Sequence, residues 1–456
     1  MARGRSMQVG IVQRLAGLCV LAMAAVALSA TNAAAVPAFA VQTGEPCQGC
    51  HVGGFGPQLT AFGREFKLEG YTLRTNSFNV PISAMAVASY LQTAKTQSPA
   101  PAPGFSGNDN WALDQFSLFF AGGFGQHLGA FVQGTYDGVA KAWHWDNLDL
   151  RATTALKVDK ADVTLGASLN NAPTVQDAWN TLPAWGFPYT TSALSPTPGT
   201  SPLLNGALAQ TSLGLTGYAW INSEVYLEGG AYWSPSASAL SHLGVDPTDP
   251  GSISGAAPYG RIAFQHDLGP GTLEVGAFGL QAEIFPGLDH TTGFTDRYTD
   301  AGVDGSYIWT MTSTDVVTLN ARYLHEDQSL KATCALAGVA AGCADNSLND
   351  IHVDGSYYWR NKIGFTVAAF DTTGSANPTL YGGNRTLRPD STGVTLQIDG
   401  TPWGNGSSPL GKRFNTRVGV QYTAYTRFDG AGANFDGMGG NARDNNALRV
   451  FVWAAY

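Results

Sequence analysis

The chain has 456 residues, 44% of them hydrophobic and only 13% charged, about half the charge of an ordinary soluble domain. Its formal charge is −9 and no basic stripe runs along it, so nucleic acid is not an expected partner. With 56 glycines, 17 tyrosines and no long apolar segment beyond the first thirty-odd residues, the composition excludes spanning helices and suits amphipathic strands that face lipid on one side.

Residues 1–35 read as a secretory signal. Arg3, Arg5 and Arg14 supply a basic start, Leu15 to Leu28 an apolar run, and Ala33-Ala34-Ala35 a small-residue cleavage site. The run is short for a membrane span. Cys19 lies inside it, after Leu18 where a lipid-attachment site wants a small residue, and is expected to leave with the signal. Without the three arginines the charge falls to −12. That acidity either gathers cations or simply keeps the protein soluble. Export permits disulfides, and Cys334 with Cys343, flanking ALAGVAAG, is expected to staple a loop.

Residues 36–79 form a small first module around Cys47-Gln48-Gly49-Cys50-His51. Two cysteines two residues apart with histidine directly after them are the attachment pattern of a c-type haem. Each thiol adds to a porphyrin vinyl group, and the neutral imidazole of His51 is the expected iron ligand. Zinc and thiol-redox chemistry share the Cys-x-x-Cys spacing, but zinc wants about four ligands and the module offers only three. No βαβ setting for a dithiol surrounds it either. Downstream, Leu59, Phe62 and Phe66 recur at helical spacing, with Gly70 as a stop, so an apolar helix face is expected toward the porphyrin. Arg64 and Lys67 on that helix either pair with haem propionates or, the preferred reading, belong to a solvated face. So short a module cannot bury a haem alone.

Residues 80–456 change to a period of two. Thr416, Val418, Val420, Tyr422 and Ala424 alternate with Arg417, Gly419, Gln421, Thr423 and Tyr425, and Leu148 to Lys157 behave the same way. Short connections around Asp159-Lys160, Asn222-Ser223, Gly269-Pro270-Gly271, Thr314-Asp315 and Arg360-Asn361 alternate with long polar ones at 93–110, 170–210, 234–255, 329–348 and 429–443. Short turns on one side and long loops on the other predict an all-β, transmembrane antiparallel barrel of roughly 16 strands in the bacterial outer membrane. The first module is the natural plug of its lumen. The final stretch, Leu448 to Tyr456, is an amphipathic strand ending on an aromatic residue. A propeller would show a blade repeat, and none is present.

A sixth iron ligand must come from the barrel or from water, because the module holds no second histidine and no methionine. Alternation points His352 inward beside Asp354, Ser356 and Tyr358, where an ordinary lumen-lining role is preferred; His325 points outward, and Met85 is ambiguous. No carboxylate cluster in the loops marks an iron-binding site.

The segment PAFAVQTGEPCQGCH, followed by QLTAFGREFKLEGY, resembles the signature of the fused cytochrome–porin family, the outer-membrane iron oxidases of iron-oxidising bacteria. The resemblance rests on Pro37, Phe39, Gln42, Thr43 and Gly44 before the pentapeptide. After it come Phe62-Gly63-Arg64, Phe66-Lys67 and Gly70-Tyr71. Val41 stands where members often carry a basic residue, and the spacer Val52 to Gly56 is longer than usual. The resemblance implies one covalent haem c held by Cys47 and Cys50, with His51 as axial ligand. It implies extracellular Fe(II) as electron donor, a periplasmic c-type cytochrome as acceptor, and one-electron oxidoreductase activity. A haem conduit for another redox partner, or a diffusion porin with a haem plug, are the rival expectations.

Overall fold

The computed structural model describes residues 37–75, 81–339, 343–406, 408–411 and 413–456. The signal reading of residues 1–35 lies outside them, as does the junction at 76–80 between the two predicted domains.

Alternating side chains force each strand to show one face outward and one inward. Among the described residues, seventeen strand segments, from Ile82–Thr93 to Ala447–Ala455, pair antiparallel with their neighbours. The first pairs with the last, from Met85 opposite Ala455 to Thr93 opposite Ala447. Closure satisfies every strand edge, which hydrocarbon demands. Gly251–Ile253 and Ala257–Leu268 both pair along Gly271–Pro286 and form one broken stave, so the barrel has sixteen staves, as the alternation predicts.

The outer face is apolar. In Ile363–Gly374, Phe365 and Val367 (58% exposed) point outward while Thr366 is buried within. Trp309 and Trp359 stand at one rim and Trp111, Trp143 and Trp233 at the other, the aromatic girdles of a membrane barrel. No helix among the described residues is long and apolar enough to cross a membrane.

The inner face is ionic. Arg261 reaches Asp177 at 2.8 Å, Glu274 at 3.1 Å and Asp304 at 2.7 Å, and Arg151 meets Asp149 at 2.9 Å. These buried charges persist because each has a partner of opposite sign.

Both ends of the barrel lie on the side of the tight turns, which is the periplasmic side of such barrels. At Asn222-Ser223 and Arg360-Asn361 both central residues have positive φ, the turn that matches strand twist. Two connections break the predicted length alternation. Residues 138–141 make a short link on the loop side, and 401–414 a long one on the turn side.

Two segments fill the lumen. The N-terminal module is one. The other is the connection 171–212, expected as an external polar loop, which instead turns inward. Trp179, Leu182 and Leu194 on it are fully buried. Asp177 meets Arg261 on one stave, while the carbonyl of Thr190 accepts from Arg449 on another. Its polar surface is spent on the ionic inner wall, which is why a stretch rich in Asn, Thr and Pro can be buried here.

Candidate functional site

Cys47–Cys50 is a single helical turn, and the chain leaves it through His51 into a glycine-rich hairpin. That hairpin closes back onto the motif: the Val52 amide donates to the Gln58 carbonyl at 2.9 Å and the Thr60 amide to the Cys50 carbonyl at 2.9 Å. Gly53 and Gly54 turn with φ of 69° and 76° and approach the Tyr358 ring and the Gly404 backbone, where no side chain fits. Asn415 Nδ2 donates to the Gly54 carbonyl at 2.8 Å.

The predicted helix runs Ala61–Leu68. Thr60 caps it, its hydroxyl accepting from the Gly63 amide at 3.2 Å and donating to the Gly49 carbonyl at 2.6 Å, so one side chain ties helix to motif. Gly70, at φ 73°, ends it, and the Tyr71 amide returns to the Phe66 carbonyl. The helix is then clamped to the barrel wall. Trp220 Nε1 donates to Glu65, the Tyr218 hydroxyl to the Leu68 carbonyl, and the Tyr71 hydroxyl to Asp149 at 2.6 Å.

Between module, wall and inward loop lies a cavity of about 370 Å³. Cys47, Cys50 and His51 all border it. So do Phe39 and Phe66 of the module, Met85, Phe119, Phe131 and Trp453 of the wall, and Trp185 and Tyr189 of the loop. Polar side chains, among them Glu45, Gln115, Gln133, Asp146 and Asn415, complete the lining. A largely aromatic chamber, within the range of roughly 300–1,000 Å³ typical of cofactor sites, suits a flat apolar ring system with a polar edge. The rings brace one another, Phe39 stacking on Tyr71 at 5.2 Å and Phe131 meeting Trp185 edge-on at 6.0 Å.

Neither Cys47 nor Cys50 is in a disulfide. Burial, with Cys47 and Glu45 nearby, pushes the Cys50 thiol up to about 12. Burial first, then the Arg417 guanidinium, lowers His51 to about 4 and keeps its imidazole neutral. His51 Nδ1 is buried and has no hydrogen-bond partner among the described residues. Two protonated thiols and a neutral imidazole at the edge of an aromatic chamber fit a covalently attached haem. Among the described residues no group of three or more His, Cys, Asp or Glu could hold a metal ion by itself, so the donor set does not fit zinc.

Arg64 and Lys67 depart from the preferred reading of a solvated face; both are buried. Arg64 donates to Gln265 and Ser306 on the wall. Lys67 Nζ donates to the Val175 and Asp177 carbonyls, both at 2.8 Å, and sits over the Trp185 ring. It is the only Lys or Arg bordering the cavity among the described residues, and burial lowers it to about 7. Phe62, expected on the inner face of the helix, is exposed instead.

His352 points inward as alternation predicts, but it contacts Asp350 and stacks on Phe370 without bordering the cavity, so its ordinary lumen role stands. Met85, ambiguous in sequence, faces the cavity. Cys334 and Cys343 form the expected disulfide. Trp185 and Tyr189 could not be placed at the site from sequence, since nothing in the loop's polar composition marked it as lumenal.

No protein-family model matches the chain and no curated protein is similar to it. Solved structures that match in fold include outer-membrane porins and channels. The outer-membrane channel DcaP of Acinetobacter baumannii is 12% identical, with a TM-score of 0.47, and the match covers 82% of this chain and 96% of that one. The anion-selective porin of Comamonas acidovorans is 13% identical, TM-score 0.44, covering 82% and 99%. OmpT of Vibrio cholerae is 10% identical, TM-score 0.42, covering 84% and 99%. Closed pairing, an apolar belt between aromatic rims and an ionic interior make this chain a sixteen-stranded porin-like β-barrel of the bacterial outer membrane.

Proposed function

We propose that the chain is an outer-membrane electron conduit, taking electrons from extracellular Fe(II) through one covalent haem c and passing them to a periplasmic c-type cytochrome. One observation carries the reading: Cys47, Cys50 and His51 border an aromatic cavity inside a membrane barrel. Bound there, a haem supplies one-electron redox chemistry part-way across about 30 Å of insulating hydrocarbon.

The chain's own residues do the rest. Cys47 and Cys50 hold the ring, and His51, kept neutral, offers its nitrogen to the iron. Phe39, Phe66, Phe119, Phe131 and Trp453 exclude water and lipid. A dry, low-dielectric setting, together with axial ligation, sets the potential of such a centre. The clamps from Tyr218, Trp220 and Asp149 fix the module in the lumen, so donor and acceptor sides stay at constant separation.

A diffusion porin needs an open bore, and here the module and the 171–212 connection occupy it; that favours charge transfer over solute flow. A conduit for a different donor uses the same residues. The test is anaerobic mixing of oxidised, detergent-purified protein with Fe(II). Prompt reduction of the haem bands is expected. Reduction by other donors but not by Fe(II) overturns the iron assignment, and absence of covalent haem overturns the whole reading.

A further inference from the structure

Resting on the haem reading above, the structure points to Met85 as the second axial ligand: we propose that its thioether binds the iron on the face opposite His51. The module holds no second histidine and no methionine, so a donor of either kind must come from the barrel.

Met85 lies on the first stave, Ile82–Thr93, in line with the inward-facing Ser83, Val87 and Ser89. It packs against the cluster of Phe55, Val87, Phe451 and Trp453 and borders the same cavity as Cys47, Cys50 and His51. Its stave is pinned on both sides, Met85 lying opposite Ala455 on one neighbour and Ser117 on the other. A ligand on a strand held by two ladders is positioned better than one on a loop.

The rival donors are fewer than the lining suggests. Among the described residues, no histidine besides His51 borders the cavity. The other methionines among the described residues, Met311 and Met438, are exposed, at 48% and 88%. Lys67 is committed to two carbonyls and the Trp185 ring, and the Tyr71 hydroxyl to Asp149. Asp146 accepts from Thr135 at 2.7 Å. Tyr189 remains, because its buried hydroxyl has no hydrogen-bond partner among the described residues. Tyr189, however, is carried on the 171–212 connection, whereas Met85 is held in a strand between two ladders.

Thioether ligation also suits the proposed direction of flow. Methionine opposite histidine raises the potential of a c-type centre, whereas tyrosinate lowers it by stabilising the ferric state.

The test uses full-length protein matured with haem and purified in detergent, as wild type, Met85→Leu and Tyr189→Phe. Covalent haem is scored first, by haem staining of denaturing gels. Ferric wild type is then expected to show the weak near-infrared charge-transfer band of methionine–iron ligation. Met85→Leu keeps its haem and its folded gel mobility, loses that band and shifts to a lower potential; Tyr189→Phe keeps the band. A wild-type protein that carries haem but lacks the band, or a Met85→Leu variant that retains it, overturns the assignment and leaves the haem reading intact. Spectra altered only by Tyr189→Phe assign the tyrosine instead. A wild-type chain without covalent haem overturns both readings at once.

Discussion

Gly63 stands against the backbone carbonyl of Cys50 so closely that a Cβ at Gly63 would collide with that oxygen. The Ala61–Leu68 helix and the cysteine turn are therefore one packed unit, and the helix position sets where the motif meets the cavity. Gly63→Ala is expected to push them apart and cost about 1–3 kcal/mol. The haem-stained fraction of purified chain should fall, while Phe62→Ala, at an exposed position on the same helix, should leave it unchanged.

Arg449 binds Asp114 at 2.6 Å and also holds the inward loop through the Thr190 carbonyl at 2.9 Å. Arg449→Leu strands a buried carboxylate, so a loss of about 3–5 kcal/mol is expected in urea titration of the detergent-folded barrel. The double variant Arg449→Leu with Asp114→Leu should recover much of that loss. Equal losses in both would show the pair to be unimportant.

Lys67 gives the pH dependence. Its folded value, lowered to about 7 by burial, lies below the ordinary 10.5, so between these values the unfolded chain binds the extra proton. Stability is therefore expected to rise as pH climbs from about 7 to 10.5, by at most about 1.4 kcal/mol per unit. Lys67→Met should flatten that slope. A wild-type profile as flat as the variant's would contradict the burial of a cationic group there.

Excising most of the 171–212 connection should open part of the lumen, the N-terminal module staying in place through Tyr218, Trp220 and Asp149. Solute flux into liposomes is expected to rise by about tenfold over wild type. If intact protein already conducts freely, the diffusion reading regains the advantage.

The lipid face has its own test. Val367→Arg places a charge on the outer surface of Ile363–Gly374 and should cost about 2–4 kcal/mol if the position lies near the bilayer midplane.

The barrel was legible because membrane strands repeat every two residues over lengths that no other fold demands. Arg417 between Thr416 and Val418 already declared which side was wet. The pentapeptide was legible because covalent chemistry fixes its spacing. Burial of Arg64 and Lys67 was not: a helix face studded with cations reads as solvated, and only the wall's Gln265 and Ser306 and the Val175 and Asp177 carbonyls of the inward connection reverse that. Nor was the descent of Trp179 and Trp185 into the lumen, since a loop's composition does not reveal which way it turns. Met85 lay where the alternation of its strand blurs among Ala84, Ala86 and Ala88, small residues that declare no side.

The chamber's walls come from opposite ends of the chain, with Phe39 and Met85 facing Trp453. No maturation enzyme fits inside a zipped cylinder to reach Cys47 and Cys50. On the haem reading, porphyrin must then be joined to a nascent, still unpaired polypeptide, and the export chaperones that deliver it must carry coloured cargo. On that reading, attachment comes before the seam between the first strand and the last is closed.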